Sequence, residues 1–155
     1  MVFYANESHL LVYLERKRIK TMISIDEFEV LLQEIADSLP EEFFDGLNGG
    51  ILLLPEIKYH PKAINNDLYV MGEYHYDSVY GRYISIFYGS FSRVCGMFSP
   101  EQLKARLEHT VKHEFRHHLE SKAGLIDLEI IDKIQLENYE NEARKISREN
   151  KEADV

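Results

Sequence analysis

Apolar residues recur every three or four positions near the start of the chain, a spacing typical of an amphipathic helix. Ser24 precedes this pattern, and Glu27 lies three residues after Ser24, which is the spacing of a capping box. The sequence therefore predicts a helix over about residues 25–38. Pro40 suits the first turn of a second, short helix, which the Asn-Gly-Gly of residues 48–50 would end.

Three short runs predict strands. Residues 51–54 are fully apolar and are stopped by Pro55, a pattern that we interpret as a strand in the middle of a sheet. Two runs rich in Tyr, Ile, Val and Phe follow at 68–76 and 82–88, and residues 77–81 between them are suited to a hairpin turn. Together these runs predict a short mixed β-sheet.

The clearest helix start lies after the predicted strands. Ser99, Pro100 and Gln102 supply an N-cap, a proline at the first helical position and a capping-box glutamine. Gly124 is the first plausible stop, so the predicted helix covers residues 100–123. Its core contacts are expected from one apolar stripe, formed by Leu103, Leu107, Val111, Phe115 and Leu119.

The chain of 155 residues is the size of one domain with a single core. Apolar positions between 128 and 136 predict a last helix, and the almost wholly polar chain beyond Tyr139 is expected to fray. We therefore predict an N-terminal extension (1–21), an α+β domain (22–140) and a polar C-terminal tail (141–155). The domain would hold N-terminal helices, the short mixed sheet and two C-terminal helices.

Composition narrows the possible partners. The chain has 18 basic and 27 acidic residues and no long basic block, so nucleic acid is not expected to bind. No apolar run approaches the roughly 20 residues that span a bilayer, and no secretory signal is recognisable, which predicts a cytoplasmic protein without membrane contact. Cys95 is the single cysteine, so a metal site would have to use His, Asp and Glu.

Residues 113–117 read His-Glu-Phe-Arg-His within the predicted helix. The spacing of four residues places His113 and His117 one turn apart on one helix face, where both imidazoles can bind the same metal ion. Glu114 then lies beside the ion and can act as the general base toward a metal-bound water. A chance motif on a solvated helix is the alternative, and the well-defined helix start argues against it.

Other residues with suitable chemistry are given structural interpretations. His109 and His118 lie near the motif, but a further histidine on a helix is more often a surface or hydrogen-bonded residue than a ligand. Cys95 is interpreted as a small buried or strand-end residue, because no base can be assigned to it.

The chain resembles the minimal zincin-like metallopeptidases, a family of small bacterial proteins. The resemblance covers roughly residues 23–139 and is carried by residues 26–43, 84–89 and, most specifically, 110–118. It implies a small zincin-like α+β domain that binds Zn²⁺ and hydrolyses peptide bonds in a peptide or protein substrate. It also implies a third metal ligand after the second histidine.

The family continues after its second histidine with two residues, a glycine, two residues and an aspartate ligand. Here Glu120 occupies the glycine position, and a Gly-x-x-Asp begins four residues later at Gly124, which makes Asp127 the first choice as third ligand. Glu120 is the alternative, because it follows His117 by three residues and so shares its helix face. Glu129 and Asp132 are less favoured candidates.

Two functions fit these residues. The first is a zinc metallopeptidase in which an edge strand near residues 82–88 aligns an extended peptide. The alternative is a catalytically inactive metal-binding or partner-binding module of zincin fold, which the small size, Arg116 within the motif and the altered third-ligand segment would also suit. Replacement of Glu114 by Gln separates the two, since only a peptidase has turnover to lose.

Overall fold

A computed structural model of the protein describes residues 2–4, 22–125 and 127–153. These residues form an α+β fold with a three-stranded mixed sheet, as the sequence predicts. No helix in these ranges has the length and apolar character needed to cross a membrane. In chain order the elements are β1 (Val2–Tyr4), α1 (Ile25–Asp37), a 3-10 helix (Glu41–Phe44), β2 (Gly50–Leu54), β3 (Leu68–Val70), β4 (Gly72–Asp77), β5 (Gly81–Phe87), α2 (Tyr88–Cys95), α3 (Pro100–Ala123) and α4 (Asp127–Ala153).

The main sheet has the order β2-β5-β4, with β2 parallel and β4 antiparallel to β5. The predicted central position of residues 51–54 is therefore wrong, because β5 is the middle strand. Ile84 and Ile86 on β5 are fully buried, whereas Leu52 on β2 is exposed. A short apolar run predicts a strand, but it does not distinguish a middle strand from an outer one that packs on its neighbours.

The run predicted as one strand over 68–76 is divided at Met71 into β3 and β4. The predicted hairpin is confirmed: Asp77 pairs with Gly81, and the Asp77 carboxylate accepts hydrogen bonds from the backbone N–H groups of Val79 and Tyr80. β3 also pairs with β1, so Val2–Tyr4 of the predicted extension join a second, two-stranded sheet. Residues 5–21 lie outside the described residues.

Both predicted capping boxes are present, and they explain why α1 and α3 begin where they do. The Ser24 and Ser99 side chains each accept a hydrogen bond from the backbone N–H three residues later. The side chains of Glu27 and Gln102 in turn accept one from the backbone N–H groups of Ser24 and Ser99. α3 ends at Gly124, whose φ of 71° is readily adopted by glycine. α3 packs against β4 and α1, and its buried stripe joins the hydrophobic core.

Two segments differ from their predicted structure. Tyr88, the last residue of the strand predicted over 82–88, instead begins helix α2, which continues to Cys95. Cys95 is buried, which is one of the two interpretations drawn from the sequence, and it lies on a helix instead of at a strand end. The chain beyond residue 140 continues as helix α4 to Ala153 instead of fraying. The polar residues there include many Glu, Lys and Arg, which favour helix and form i,i+4 pairs such as Glu140 with Arg144.

Candidate metal centre

His113 and His117 of α3 lie against Asp132 of α4. The Nε2 atoms of His113 and His117 are 3.4 and 3.0 Å from the Asp132 Oδ2 atom. One ligand atom from each residue lies within 4.8 Å of the other two. Both histidine side chains are largely buried, and the Asp132 side chain is about one-third exposed. The chain thus brings two imidazoles and one carboxylate to one point between two helices.

The spacing of these three atoms suits a tetrahedral metal ion. An ion bonded to ligands at 2.0–2.2 Å separates them by about 3.3 Å in tetrahedral geometry. The distances from Asp132 to the two histidines, 3.4 and 3.0 Å, bracket this value. Two imidazoles with one carboxylate form a donor set that zinc uses in catalytic sites, with the fourth position left for water or substrate. The residues present therefore fit the zinc that the resemblance implies.

The two histidines also favour the ionised form of Asp132. Burial raises the pKa of this carboxyl, but hydrogen bonds and charge interactions with His113 and His117 outweigh burial and hold the pKa well below its usual range. Asp132 is therefore an ionised carboxylate at neutral pH, the form that binds a metal ion.

Glu114 lies directly beside this group and is 1% exposed. It lines a cleft of about 560 Å³ together with His117 and Asp132. β4 passes close over α3 at this point: a Cβ atom placed on Gly72 would lie 2.8 Å from Thr110 Cγ2 and 3.1 Å from Glu114 Cγ. The absence of a side chain at Gly72 is what allows the strand to lie this close to the Glu114 side chain.

The structure gathers Asp132, not Glu120, with the histidines. The Glu120 carboxylate accepts a hydrogen bond from Arg116 Nε at 2.9 Å and is not part of the three-residue group. The side chains of Asp127 and Glu129 lie outside the described residues. Asp132, a less favoured candidate from the sequence, shares a helix face with Leu136 and Tyr139, which also line the cleft. This spacing alone does not distinguish it from Glu129, which lies three residues before it on the chain.

The remaining candidates have structural surroundings. His118 is fully buried and donates from Nε2 to the Asp45 carbonyl oxygen at 2.9 Å, and burial lowers its pKa. The pKa of His109 is also lowered, chiefly by burial, and His109 is not part of the three-residue group. Burial raises the pKa of the Cys95 thiol to about 11, which makes it a poor nucleophile at neutral pH.

Known proteins give limited help with function. No family model matches the chain, and no curated protein matches it. Among solved structures it is similar to a conserved hypothetical protein from Thermo thermophilus, with 32% sequence identity and a TM-score of 0.53. The match covers 65% of this chain and 98% of that one.

Proposed function

The chain belongs to the same family as the conserved hypothetical protein from Thermo thermophilus, and from this premise we propose that it is a zinc-dependent metallopeptidase of the zincin type. The description of that relative states no activity, so the proposal rests on residues of this chain. The observation that carries it is the group of His113, His117 and Asp132, of which His117 and Asp132 line the same cleft as Glu114.

Each of these residues has a chemical role in the proposal. His113, His117 and Asp132 would hold the zinc ion, which when bound lowers the pKa of water and polarises a carbonyl group. Glu114 would accept a proton from the attacking water and transfer it to the leaving amine. Because Glu114 is almost completely buried, its carboxylate lies in a low-dielectric environment. A proton that it accepts there exchanges less readily with bulk water.

The strand proposed to align the substrate has to be corrected. Residues 82–87 belong to β5, which is paired on both sides and cannot add a peptide by β-augmentation. β4 is the outer strand on the side that packs against α3. Phe87 N donates a hydrogen bond to Met71 O. In this register the odd-numbered residues of β4 form the hydrogen-bonded pairs with β5, so the backbone N–H and C=O groups of Tyr74 and Tyr76 point away from β5. We propose β4 as the strand that aligns the peptide.

The alternative is a partner-binding module without turnover. One observation favours it: the apolar side chains of Ile130, Ile131 and Ile134 are exposed close together on α4. Clusters of exposed apolar side chains are uncommon on helices that face only solvent. These residues lie on α4 away from the Asp132 side, so a docking surface there is compatible with either function.

The experiment compares the purified protein with Glu114→Gln. Zinc content is measured by elemental analysis, and cleavage is measured with a library of internally quenched peptides. We expect one zinc per chain in both proteins, and loss of cleavage in the variant by a factor on the order of 10² or more. Glu120→Gln is the matched control, since it changes a carboxylate on the same helix outside the metal group. Equal cleavage by Glu114→Gln would refute the assigned base.

A further inference from the structure

One arginine connects the strand proposed to align the peptide with the helix that carries both histidines. Arg82 lies on β5, and its Nη1 atom donates hydrogen bonds of 2.8 Å to the Tyr74 hydroxyl on β4 and of 2.8 Å to Ser121 Oγ on α3. We propose that Arg82 is a positioning residue, which holds β4 at the distance from α3 at which an extended peptide passes the metal group. The inference rests on the proposed peptidase function and adds to it a substrate long enough to follow β4.

The strand side of this link comes from the pairing of β4 with β5. Tyr76 lies directly opposite Arg82 in a pair without backbone hydrogen bonds, where the two side chains lie close together on one face of the sheet. The Arg82 guanidinium carbon is 4.3 Å from the centroid of the Tyr76 ring, and Tyr76 is 71% exposed. Arg82 therefore contacts both Tyr74 and Tyr76, the residues whose backbone groups point away from β5.

The helix side of the link lies one turn beyond the second histidine. Ser121 follows His117 by four residues, so the two side chains share one face of α3, about 6 Å apart along the helix axis. Between these positions the Tyr74 ring contacts the buried His118 ring, with 5.6 Å between the centroids. The hydrogen bond from Arg82 to Ser121 therefore joins β4 to the same part of α3 that presents the second histidine.

A guanidinium group suits this link because its donors point in fixed directions. Both hydrogen atoms of Arg82 Nη1 are used, one by each hydroxyl group, while the guanidinium carbon lies over the Tyr76 ring. A lysine ammonium is a point charge on a flexible stem and would not hold the three partners in one geometry. Arg82 does not line the cleft, whereas Tyr74 does, so Arg82 acts on a bound peptide through β4.

The length of β4 determines which substrates depend on this link. Gly72 lies beside Glu114, and at about 3.3 Å per residue Tyr74 is roughly 7 Å and Tyr76 roughly 13 Å further along the strand. A tetrapeptide cleaved at its centre spans about 7 Å on either side of the bond and stops short of Tyr76. An octapeptide spans about 13 Å on either side and reaches both tyrosines. The longer peptide is therefore the one whose binding requires β4 to be held in place.

Peptide binding without turnover tests the positioning role. Zinc-loaded Glu114→Gln protein, with and without Arg82→Ala, is titrated calorimetrically with an N-acetylated, C-amidated tetrapeptide and with an octapeptide that has the same four central residues. We expect Arg82→Ala to weaken octapeptide binding at least ~10-fold, because β4 is no longer held in register with α3. Binding of the tetrapeptide and the zinc content should stay the same. An equal loss for both peptides, or no loss for either, would overturn the inference.

Further variants locate the effect in the link and replace Arg82→Ala if that variant does not fold. Ser121→Ala removes the acceptor on α3, and Arg82→Lys keeps the charge without the fixed geometry; both should weaken octapeptide binding selectively. The effects of Arg82→Ala and Ser121→Ala should be less than additive, because the two variants remove the same hydrogen bond. Arg106→Ala is the matched control, since Arg106 also lies over an aromatic ring, that of Phe98, and does not line the cleft. The same length-dependent loss in this control would also overturn the inference.

Failure of the positioning role and failure of the peptidase are distinguishable. Cleavage of both peptides by the wild-type protein, with kcat/KM changed equally for both by Arg82→Ala, would support the peptidase and refute the positioning role. A selective loss of octapeptide binding, without cleavage by the wild-type protein, would support the positioning role and refute the peptidase. Absence of octapeptide binding by zinc-loaded Glu114→Gln protein would refute β4 as the aligning strand, and the role of Arg82 with it.

Discussion

His117 Nε2 lies 3.0 Å from the Oδ2 atom of Asp132, although 15 residues separate the two in sequence. The contact joins two successive helices, α3 and α4, at the point where Glu114 enters the cleft. It makes Asp132 the candidate for the third ligand of the proposed zinc site, a role for which the sequence favoured Asp127 or Glu120. Metal binding and the packing of α4 are therefore expected to depend on each other.

Asp132→Asn is expected to weaken zinc binding. The amide removes the negative charge and one of three protein ligands, and loss of a ligand should exceed the 10- to 100-fold effect typical of outer-shell changes. Competition with a chromogenic chelator measures the affinity. Glu120→Gln and Asp127→Asn serve as controls that keep the same chemical change at the other candidates. A zinc affinity reduced as strongly by either control as by Asp132→Asn would contradict this ligand set.

Zinc is expected to stabilise the fold, because the ion would link α3 to α4. A ligand at 100 times its dissociation constant adds about 2.7 kcal/mol to the free energy of unfolding, which corresponds to a rise in Tm of roughly 5–10 °C for a chain of this size. Calorimetry with and without a chelator measures the difference. His113→Ala should show the same Tm in both conditions. An equal zinc-dependent rise in this variant would place the stabilising ion elsewhere.

Gly72→Ala is expected to reduce activity more than stability. The new methyl group would lie 2.8 Å from Thr110 Cγ2 and 3.1 Å from Glu114 Cγ, so the strand or the proposed base must move. Overpacking of this kind destabilises by about 1–3 kcal/mol, and a displaced base should lower kcat at least ~10-fold. Gly49→Ala is a matched control, with a comparable contact of 2.7 Å to Tyr83 Cβ on the sheet. Equal kcat losses in both variants would indicate a general loss of structure.

Helix starts were predictable because their causes are local. Ser24 with Glu27, and Ser99 with Gln102, each form a capping box within four residues, so α1 and α3 begin where the sequence indicates. The hairpin at 77–81 was predictable for the same reason, since Asp77 satisfies the turn backbone itself. Such features need no knowledge of the tertiary fold.

The strand order and the third ligand depend on contacts between distant parts of the chain. An acidic side chain on α4 reaches the histidines only when α4 packs against α3 in one particular rotation about the α4 axis. That rotation is supported by contacts such as Tyr139 with Asp67, which are 72 residues apart, and Lys62 with Glu140. No local pattern near Asp132 encodes these contacts. The spacing of the motif that the chain resembles predicts the third ligand less well when the segment after the second histidine differs in length.

Tyr139→Phe tests whether this contact positions α4. The variant keeps the ring in the cleft but removes the hydroxyl that bridges Ile64 N and Asp67 Oδ1. Loss of two hydrogen bonds is expected to lower the free energy of unfolding by about 1–3 kcal/mol and to weaken zinc binding several-fold, through Asp132 on the same helix. Chelator competition and urea unfolding measure the two effects. A zinc affinity equal to wild type, with stability reduced, would limit Tyr139 to a structural role.

The Cys95 thiol is expected to be unreactive in the folded protein. Burial raises its pKa from 9.0 to about 11, so at pH 8 the thiolate fraction is about 100-fold smaller than in the unfolded chain. Alkylation by iodoacetamide, followed by mass spectrometry, should be at least ~100-fold slower without urea than with it.

The raised pKa of the Cys95 thiol also determines how the stability of the protein changes with pH. Between pH 9 and 11 the unfolded chain loses the proton that the folded chain retains, so the thiol contribution to stability falls as pH rises through this window. Cys95→Ser should flatten that part of the stability curve, and an unchanged slope would show that another group is responsible.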